Sequence, residues 1–234
     1  MKSVFFVPVF NQIKEFPIVL DDLKKHSTCS EILLVNNGST DGSENLIHKS
    51  NFPHIDIEKN RGIGYSYILA LEWAIEKKFD IFGSFAANGK MLASEMNRVL
   101  NPILENKADY VTGSRFMKGG NYPNLPLFRR ITIPAVNIFV NLLFGSNLTD
   151  ATCGYRAFKL DLLKNISFNW YDEWLYTYSF EYYIYARILK NKNNRCLEVP
   201  ITMNYPKTPH GYSKIRPFID WWAMLRPWII GKFT

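Results

Sequence analysis

Cysteine, long apolar runs and acidic residues are all scarce in this chain of 234 residues. Its three cysteines, Cys29, Cys153 and Cys196, are widely spaced and form no CxxC pair. This pattern excludes a disulfide framework and favours buried thiols in a reducing compartment. No stretch offers about 20 uninterrupted apolar residues, so we expect no transmembrane helix. The N-terminus is apolar only briefly, and we expect no signal peptide there.

The shortage of acidic residues gives the chain a basic balance. Lys and Arg number 28 against 21 Asp and Glu, for a net charge of +7. Such an excess favours nucleic acid, anionic lipid headgroups or phosphorylated small molecules as partners. Because the basic residues form no block, we favour lipid or phosphate and expect no nucleic acid. No linker, repeat or low-complexity tract divides the chain, so residues 1–234 are predicted to form a single domain.

Apolar strand patterns alternate with helical patterns through the first half of the chain. Strands are predicted at 4–9, 31–35, 54–57, 81–85 and 110–112, and helices at 13–26, 43–49, 62–78 and 93–106. This alternation predicts an α/β fold, with a mainly parallel sheet covered by helices on both faces. Ligands of such sheets bind beyond the carboxyl ends of the strands. Those ends are polar or glycine-rich here: 8–11, 36–41, 86–90 and 113–116.

The second half of the chain contains two strongly apolar segments. Residues 131–144 follow the pair Arg129-Arg130 and are too short to span a bilayer, and residues 216–234 mix tryptophan and aliphatic residues with basic ones. Such a composition is typical of amphipathic helices that lie among lipid headgroups. The alternative is that both helices pack against their own domain or against a twin subunit.

Seven motifs follow one another in the chain. They are VPVFNQ (7–12), LLVNNGSTDGS (33–43), NRGIGYSYILAL (60–71), VTGSRFMKGG (111–120), TDATCGYRAF (149–158), EVPI (198–201) and HGYSK (210–214). In this order and spacing, the chain resembles family 2 glycosyltransferases of the dolichyl- or polyprenyl-phosphate mannose or glucose synthase group. The resemblance implies a GT-A fold, a GDP-mannose or UDP-glucose type of donor, and a lipid-phosphate acceptor. It also implies a peripheral location on the cytoplasmic membrane face, with residues 1–120 binding nucleotide and 121–234 facing acceptor and membrane.

The resemblance also assigns roles to residues. The base and ribose pocket would be lined by Pro8, Phe10 and Gln12, with Asn36 or Asn37. The donor diphosphate would lie beside Ala86, Ala87, Asn88 and Lys90. Phosphates of donor or acceptor would meet Arg115, Arg129, Arg156, His210 and Lys214. Arginine suits this task because its planar fork matches phosphate oxygens at two points.

Asp150 is predicted to orient a sugar hydroxyl or the acceptor, with a turn-forming role as the alternative. Arg156 of the same motif would pair with a phosphate or with Asp150. Asp41 is predicted to cap a helix or close a turn instead of taking part in chemistry. Asp150, Arg115 and Lys90 are therefore the residues to which we assign catalysis.

The chain departs from the family at its acidic positions. The Asp-x-Asp motif of relatives, which binds a divalent metal, reads Ala86-Ala87-Asn88 here, and Gln12, Asn36 and Asn37 are neutral as well. Because Mg²⁺ normally takes at least one or two carboxylates, a divalent metal is disfavoured at this place. We hypothesise that Lys90, Arg115 and Lys214 supply the positive charge instead. For Lys90 the alternative is a solvated lysine at a helix start.

Three alternatives remain open on sequence alone. The absence of these acidic side chains is also compatible with a non-catalytic paralog that only binds a nucleotide or lipid. A transferase with a non-lipid glycan acceptor is less favoured, and a homodimer is possible. Among the histidines, His26, His48 and His54 show no metal-ligand spacing.

Overall fold

The computed structural model describes residues 1–166, 169–207 and 221–234. Its strands are β1 (Ser3–Val9), β2 (Glu31–Asn37), β3 (His54–Ile57), β4 (Ile81–Ser84), β5 (Tyr110–Ser114), β6 (Arg156–Lys159) and β7 (Cys196–Pro200). Its helices are α1 (Phe16–His26), α2 (Ser43–His48), α3 (Ile63–Glu76), α4 (Met96–Leu104), α5 (Leu127–Phe144), α6 (Ser179–Lys190) and α7 (Trp221–Phe233). Short 3₁₀ turns lie at Ala93–Glu95, Leu160–Asn165 and Glu173–Tyr176.

All seven strands belong to one sheet, in the order β3-β2-β1-β4-β6-β5-β7. Parallel pairs join β1 to β2 and β4, and β2 to β3. Strand β6 is antiparallel to both of its neighbours, while β7 runs parallel to β5. The prediction of a mainly parallel α/β sheet is therefore confirmed.

The central strand β1 is buried on both faces, as expected for a sheet that helices cover on both sides. Val4 and Phe6 belong to the apolar cluster under α3 and α6. Phe5 and Val7 point the other way, into the cluster under α1 and α4. This double burial fixes the register of the sheet, and with it the alignment of the polar loops that follow the strands.

Helix α5 is longer than the apolar segment 131–144, because it begins at Leu127 and includes Arg129 and Arg130. Its 18 residues make it, within the described part of the chain, the one helix long and apolar enough to cross a membrane by length and composition. The length predicted from residues 131–144 is thus too short. Seven of its 18 residues are exposed, and its buried side chains are Ile133, Asn137, Val140 and Phe144.

Helix α7 differs from the predicted amphipathic helix. Trp228 is buried against α6 and α5, but Trp222 and Phe233 are exposed, so apolar side chains lie on both sides of it. A Cβ on Gly231 would lie 2.6 Å from the Ala186 Cβ, which shows how closely α7 approaches α6. The C-terminal segment therefore packs on its own domain while part of its apolar surface stays exposed. Residues 216–220 lie outside the described residues.

Candidate functional site

Asp41 joins the loops that follow β1 and β2. One carboxylate oxygen accepts the backbone N–H of Ile13 at 3.0 Å, and the other accepts both the N–H and the hydroxyl of Ser43. Gln12 donates its N–H to the same Ser43 hydroxyl at 3.0 Å. Asp41 therefore has the turn-closing role predicted for it, and it fixes the first loop against the second.

The two asparagines that end β2 organise loops with their side chains. Asn36 accepts the N–H of Ser39 at 2.9 Å and donates to Asp56 at 2.9 Å. Asn37 donates to the Asn60 side chain at 3.1 Å. Both asparagines are buried, so these amides position the pocket loops while Pro8, Phe10 and Gln12 lie partly exposed at the same edge.

Gly38, next to this pair, has a φ of +70°, and a Cβ there would lie 2.5 Å from the Asn60 nitrogen. Only glycine allows the two loops to approach so closely.

The loop after β4 contains Ala86, Ala87 and Asn88, where the family resemblance implies an acidic motif. Asn88 accepts the backbone N–H of Lys90 at 3.2 Å and so closes a tight turn. Ala87 is buried, and the Ala86 N–H lies 3.2 Å from the Met91 sulfur. Positions 86 to 88 therefore present methyl groups and one amide to the edge of the sheet.

Lys90 lies in a group of basic side chains around Tyr205, which we call the cationic cluster: Lys90, Arg115 and Arg129. The Lys90 Nζ is 5.4 Å and the Arg129 Cζ 5.9 Å from the centre of the Tyr205 ring. Arg115 donates to the Tyr205 hydroxyl at 2.6 Å. Lys90 is only 6% exposed, so the alternative of a solvated lysine is wrong.

The positive charges in the cationic cluster repel one another. Burial, followed by the charges of Arg129 and Arg115, lowers the pKa of Lys90 to about 8. The Arg129 Nε is buried and has no hydrogen-bond partner among the described residues. A buried N–H normally finds an acceptor, so the cluster has both the charge and the free donor to receive an anion.

Arg115 and Asp150 bind each other at the centre of the site. The Arg115 Nε and Nη2 donate to the two Asp150 oxygens, each at 2.6 Å, and the Arg115 backbone N–H adds a bond at 3.0 Å. The two side chains are 3% and 0% exposed. Burial alone would lower the pKa of Arg115, but the Asp150 carboxylate outweighs it and raises that pKa well above its usual value.

This pairing uses the side-chain atoms to which roles in catalysis and phosphate binding were assigned, and those roles stay predictions. The Asp150 carboxylate contacts the Arg115 guanidinium where a sugar hydroxyl was expected, and Arg115 uses its fork on Asp150 where phosphates were expected. The buried pair positions the loop after α5 against the end of β5.

Glu198 of the EVPI motif supports the same loop. Its carboxylate accepts the N–H of Thr149 at 2.7 Å and the N–H of Asp150 at 2.8 Å. From the other side, Asn137 of α5 accepts the N–H of Ala151 at 2.9 Å and donates to the Thr149 carbonyl. The sequence analysis identified the EVPI motif but predicted no role for Glu198. It did not identify Tyr205, because this residue lies in none of the seven motifs.

Arg156 lies in the core, away from both partners predicted for it. Its guanidinium lies 3.0 Å from Glu181 and donates to the Ala151 carbonyl at 3.0 Å and the Tyr110 hydroxyl at 3.2 Å. The side chain is 1% exposed. Arg156 therefore contacts neither a phosphate site nor Asp150. His210 and Lys214, the other predicted phosphate contacts, lie outside the described residues.

Residues 4–167 match glycosyl transferase family 2. The chain belongs to this family. Among its relatives, the undecaprenyl-phosphate mannosyltransferase of Micrococcus luteus is 29% identical over 86% of this chain and 83% of its own length. The UDP-N-acetylglucosamine–dolichyl-phosphate N-acetylglucosaminyltransferase of Methanococcus voltae is also 29% identical, over 85% of this chain and 84% of its own length.

A solved structure supports the predicted GT-A fold. The glucosyl-3-phosphoglycerate synthase of Mycobacterium tuberculosis, solved with Mn²⁺, UDP and phosphoglyceric acid, superposes with a TM-score of 0.69 at 14% identity. The match covers 98% of this chain and 76% of that one. The similarity concerns the fold alone, and the GT-A prediction is confirmed.

The side chains of this family 2 glycosyltransferase do not fit a divalent cation at the usual place. The loop at 86–88 offers no carboxylate, and Asp150 already uses both of its oxygens on Arg115. The ammonium of Lys90 and the guanidinium of Arg129 would repel a cation there. Hard divalent ions need several anionic oxygens, so we derive no step through a metal.

Replacing Asp150 with Asn tests how much the ion pair contributes to the stability of this family 2 glycosyltransferase. The change leaves Arg115 buried without its counter-charge, which we expect to lower the free energy of unfolding by about 3–5 kcal/mol. Urea denaturation measures the loss. Asp161→Asn is the matched control, because its partner Lys164 and Asp161 itself are largely exposed. Equal stability of the two variants would contradict the assignment.

Proposed function

We propose that this protein transfers a hexose from a nucleoside-diphosphate sugar, of the GDP-mannose or UDP-glucose type, to a polyprenyl or dolichyl phosphate. We propose further that it works at the cytoplasmic face of a membrane and needs no metal. One observation carries the proposal: the cationic cluster lies beside the loop at 86–88, and within it the buried Arg129 Nε has no hydrogen-bond partner in the part of the chain that the structure describes.

The reaction fits what these side chains can supply. The lipid phosphate attacks the anomeric carbon in line, the bond to the donor diphosphate breaks, and the configuration inverts. A lipid phosphate is ionised near neutral pH, so it needs positioning more than a general base. The leaving diphosphate gains negative charge, and preorganised cations stabilise that charge.

Within the cationic cluster, Asp150 balances the charge of Arg115, whereas the Lys90 ammonium and the Arg129 guanidinium both lie beside the Tyr205 ring. We therefore assign stabilisation of the diphosphate to Lys90 and Arg129, and a positioning role to Arg115 and Asp150. The phosphate contact of Lys214 stays a prediction, because this residue lies outside the described residues. The partly exposed Pro8, Phe10 and Gln12, with Asn36 and Asn37 at the same edge of the sheet, are proposed to bind the base and ribose.

The relatives from Micrococcus luteus and Methanococcus voltae support the lipid-phosphate acceptor, because the names of both include a polyprenyl or dolichyl phosphate. The second candidate is a binding protein without turnover. The replacement of both acids by Ala86 and Asn88 favours it. The two candidates differ in whether any lipid-linked sugar forms.

Incubation of the purified full chain with GDP-mannose or UDP-glucose and polyprenyl phosphate tests the proposal. We expect a lipid-linked sugar whose formation survives EDTA. Lys90→Met should lower the turnover by roughly 10²–10³-fold, since it removes one preorganised charge from the diphosphate. Lys77→Met, an exposed lysine at the end of α3, is the control and should leave turnover unchanged.

Two results would contradict parts of the proposal. Loss of product in EDTA with recovery on adding Mn²⁺ would overturn the metal-free reaction. Nucleotide binding without product from any donor would instead support the binding protein.

The pKa of Lys90 predicts how nucleotide affinity depends on pH. With a pKa of about 8 in the free protein, Lys90 is charged below that pH and neutral above it. Binding a diphosphate requires the charged form, so affinity for GDP or UDP should fall as pH rises from 7 to 9, approaching about tenfold per unit above the pKa. Calorimetry measures this trend.

Lys90→Met separates this effect from the titration of the nucleotide itself. The variant should bind more weakly at pH 7, and its affinity should vary less with pH than that of the wild type. Parallel pH profiles for the two proteins would rule Lys90 out as the titrating group.

Helix α5 is the surface that we propose for membrane contact. Its exposed apolar side chains form a stripe at helical spacing: Leu127, Phe128, Ile131, Ile138 and Leu142. The opposite face carries Asn137, which binds the loop at 149–151. Arg130, which is exposed at the start of the helix, would meet lipid phosphates. Docking there would bring the bilayer to the proposed acceptor site.

The double variant Ile138→Glu/Leu142→Glu should lower cosedimentation with anionic liposomes, because two charges replace apolar side chains on the docking face. Ile18→Glu is the control, since Ile18 on α1 is 73% exposed, much like Leu142 at 81%. A wild-type dimer that the double variant converts to monomer, with liposome binding unchanged, would show that the stripe is a subunit interface instead.

A further inference from the structure

Three metal-binding side chains meet at the edge of the sheet, outside the nucleotide loops. His54 and Asp56 are two residues apart on the edge strand β3, so they point to the same face. His48 ends helix α2, and the centre of its ring lies 5.0 Å from that of the His54 ring. One ligand atom from each of the three lies within 4.8 Å of the other two. The sequence showed no ligand spacing here because the fold brings the end of α2 back to β3.

The hydrogen bonds of His54 direct its second nitrogen toward Asp56. Its Nδ1 lies 3.3 Å from the Phe52 carbonyl oxygen, which can only accept, so Nδ1 carries the proton. In the neutral ring, Nε2 then carries a lone pair, 3.8 Å from the Asp56 Oδ2. Metal-binding histidines commonly use this arrangement, in which a backbone carbonyl fixes the ring and the other nitrogen binds the ion.

Asp56 is oriented in the same way. Its Oδ1 accepts a hydrogen bond from the buried Asn36 amide at 2.9 Å, which leaves Oδ2 on the side of the histidines. The His48 Nε2 lies 2.9 Å from that Oδ2. In a tetrahedral zinc site, ligand atoms at the usual bond lengths are about 3.3 Å apart. The separations of 2.9 and 3.8 Å bracket this value.

We propose that His48, His54 and Asp56 form a zinc site, with water as the fourth ligand. Two imidazoles and one carboxylate are a donor set that suits Zn²⁺ and not Mg²⁺. The site is separate from the loop at 86–88, so it does not restore a metal to the donor diphosphate. Bound zinc would clamp the short helix α2 to the edge strand β3.

Calorimetry with ZnCl₂ on the metal-stripped, tag-free full chain tests the site. We expect one saturable site per chain, and a loss of affinity of at least about tenfold in His54→Ala and in Asp56→Asn. Asp56→Asn keeps an oxygen for Asn36 to donate to, so the pocket loops should stay in place. The control is His26→Ala, which changes a histidine at the end of α1 and should bind zinc as the wild type does.

Thermal unfolding gives a second readout that does not depend on activity. Zinc should raise the Tm of the wild type and of His26→Ala, because an ion that binds only the folded state stabilises it. Asp56→Asn should show no such rise. Absence of saturable zinc binding in the wild type would overturn the proposal. So would binding that His54→Ala and Asp56→Asn both retain, since the ion would then be adventitious.

Discussion

The ion pair between Arg115 and Asp150 is the interaction on which the site depends. It connects the end of β5 to the loop after α5, and both partners are almost fully buried. A buried pair is costly to desolvate, and it persists only when its geometry and remaining hydrogen bonds are good. Thr152 and Tyr205 supply those bonds to the guanidinium at 2.8 and 2.6 Å, and Glu198 fixes the Asp150 backbone. The pair therefore sets the position of Tyr205, around which Lys90 and Arg129 lie.

The alternation of strands and helices could be predicted from the sequence, because each apolar run is local and its period is visible. The strand at 54–57 was predicted with its observed bounds. The partners of Arg115 and Arg156 could not be predicted, because they depend on contacts between residues far apart in the chain. Both arginines belong to motifs for which we predicted phosphate contacts. In the fold, Arg115 pairs with Asp150 and Arg156 pairs with Glu181.

The sequence also indicates one end of helix α5 better than the other. The end of α5 at Phe144 was predicted, because Gly145 follows it with a φ of +57° and closes the helix in the left-handed conformation. Its start lies before the apolar segment 131–144, because the charged pair at 129–130 separates Leu127 and Phe128 from that segment. Pro126 precedes the helix, and proline is tolerated at a helix start, where its missing N–H would have no partner anyway. The consequence is functional, since the added turn brings Arg129 to the cationic cluster.

The loss of carboxylates and the burial of Lys90 are two parts of one electrostatic arrangement. An aspartate at position 86 or 88 would lie beside Lys90, and opposite charges so close in a buried setting would pair. That pairing would raise the pKa of Lys90 and neutralise the charge needed by a diphosphate. With alanine and asparagine in those places, burial and the charges of Arg129 and Arg115 outweigh the opposing charge of Glu15, and the pKa of Lys90 falls to about 8. A bound diphosphate would relieve that repulsion, so an anion, and not a cation, is the ligand that this arrangement of charges selects.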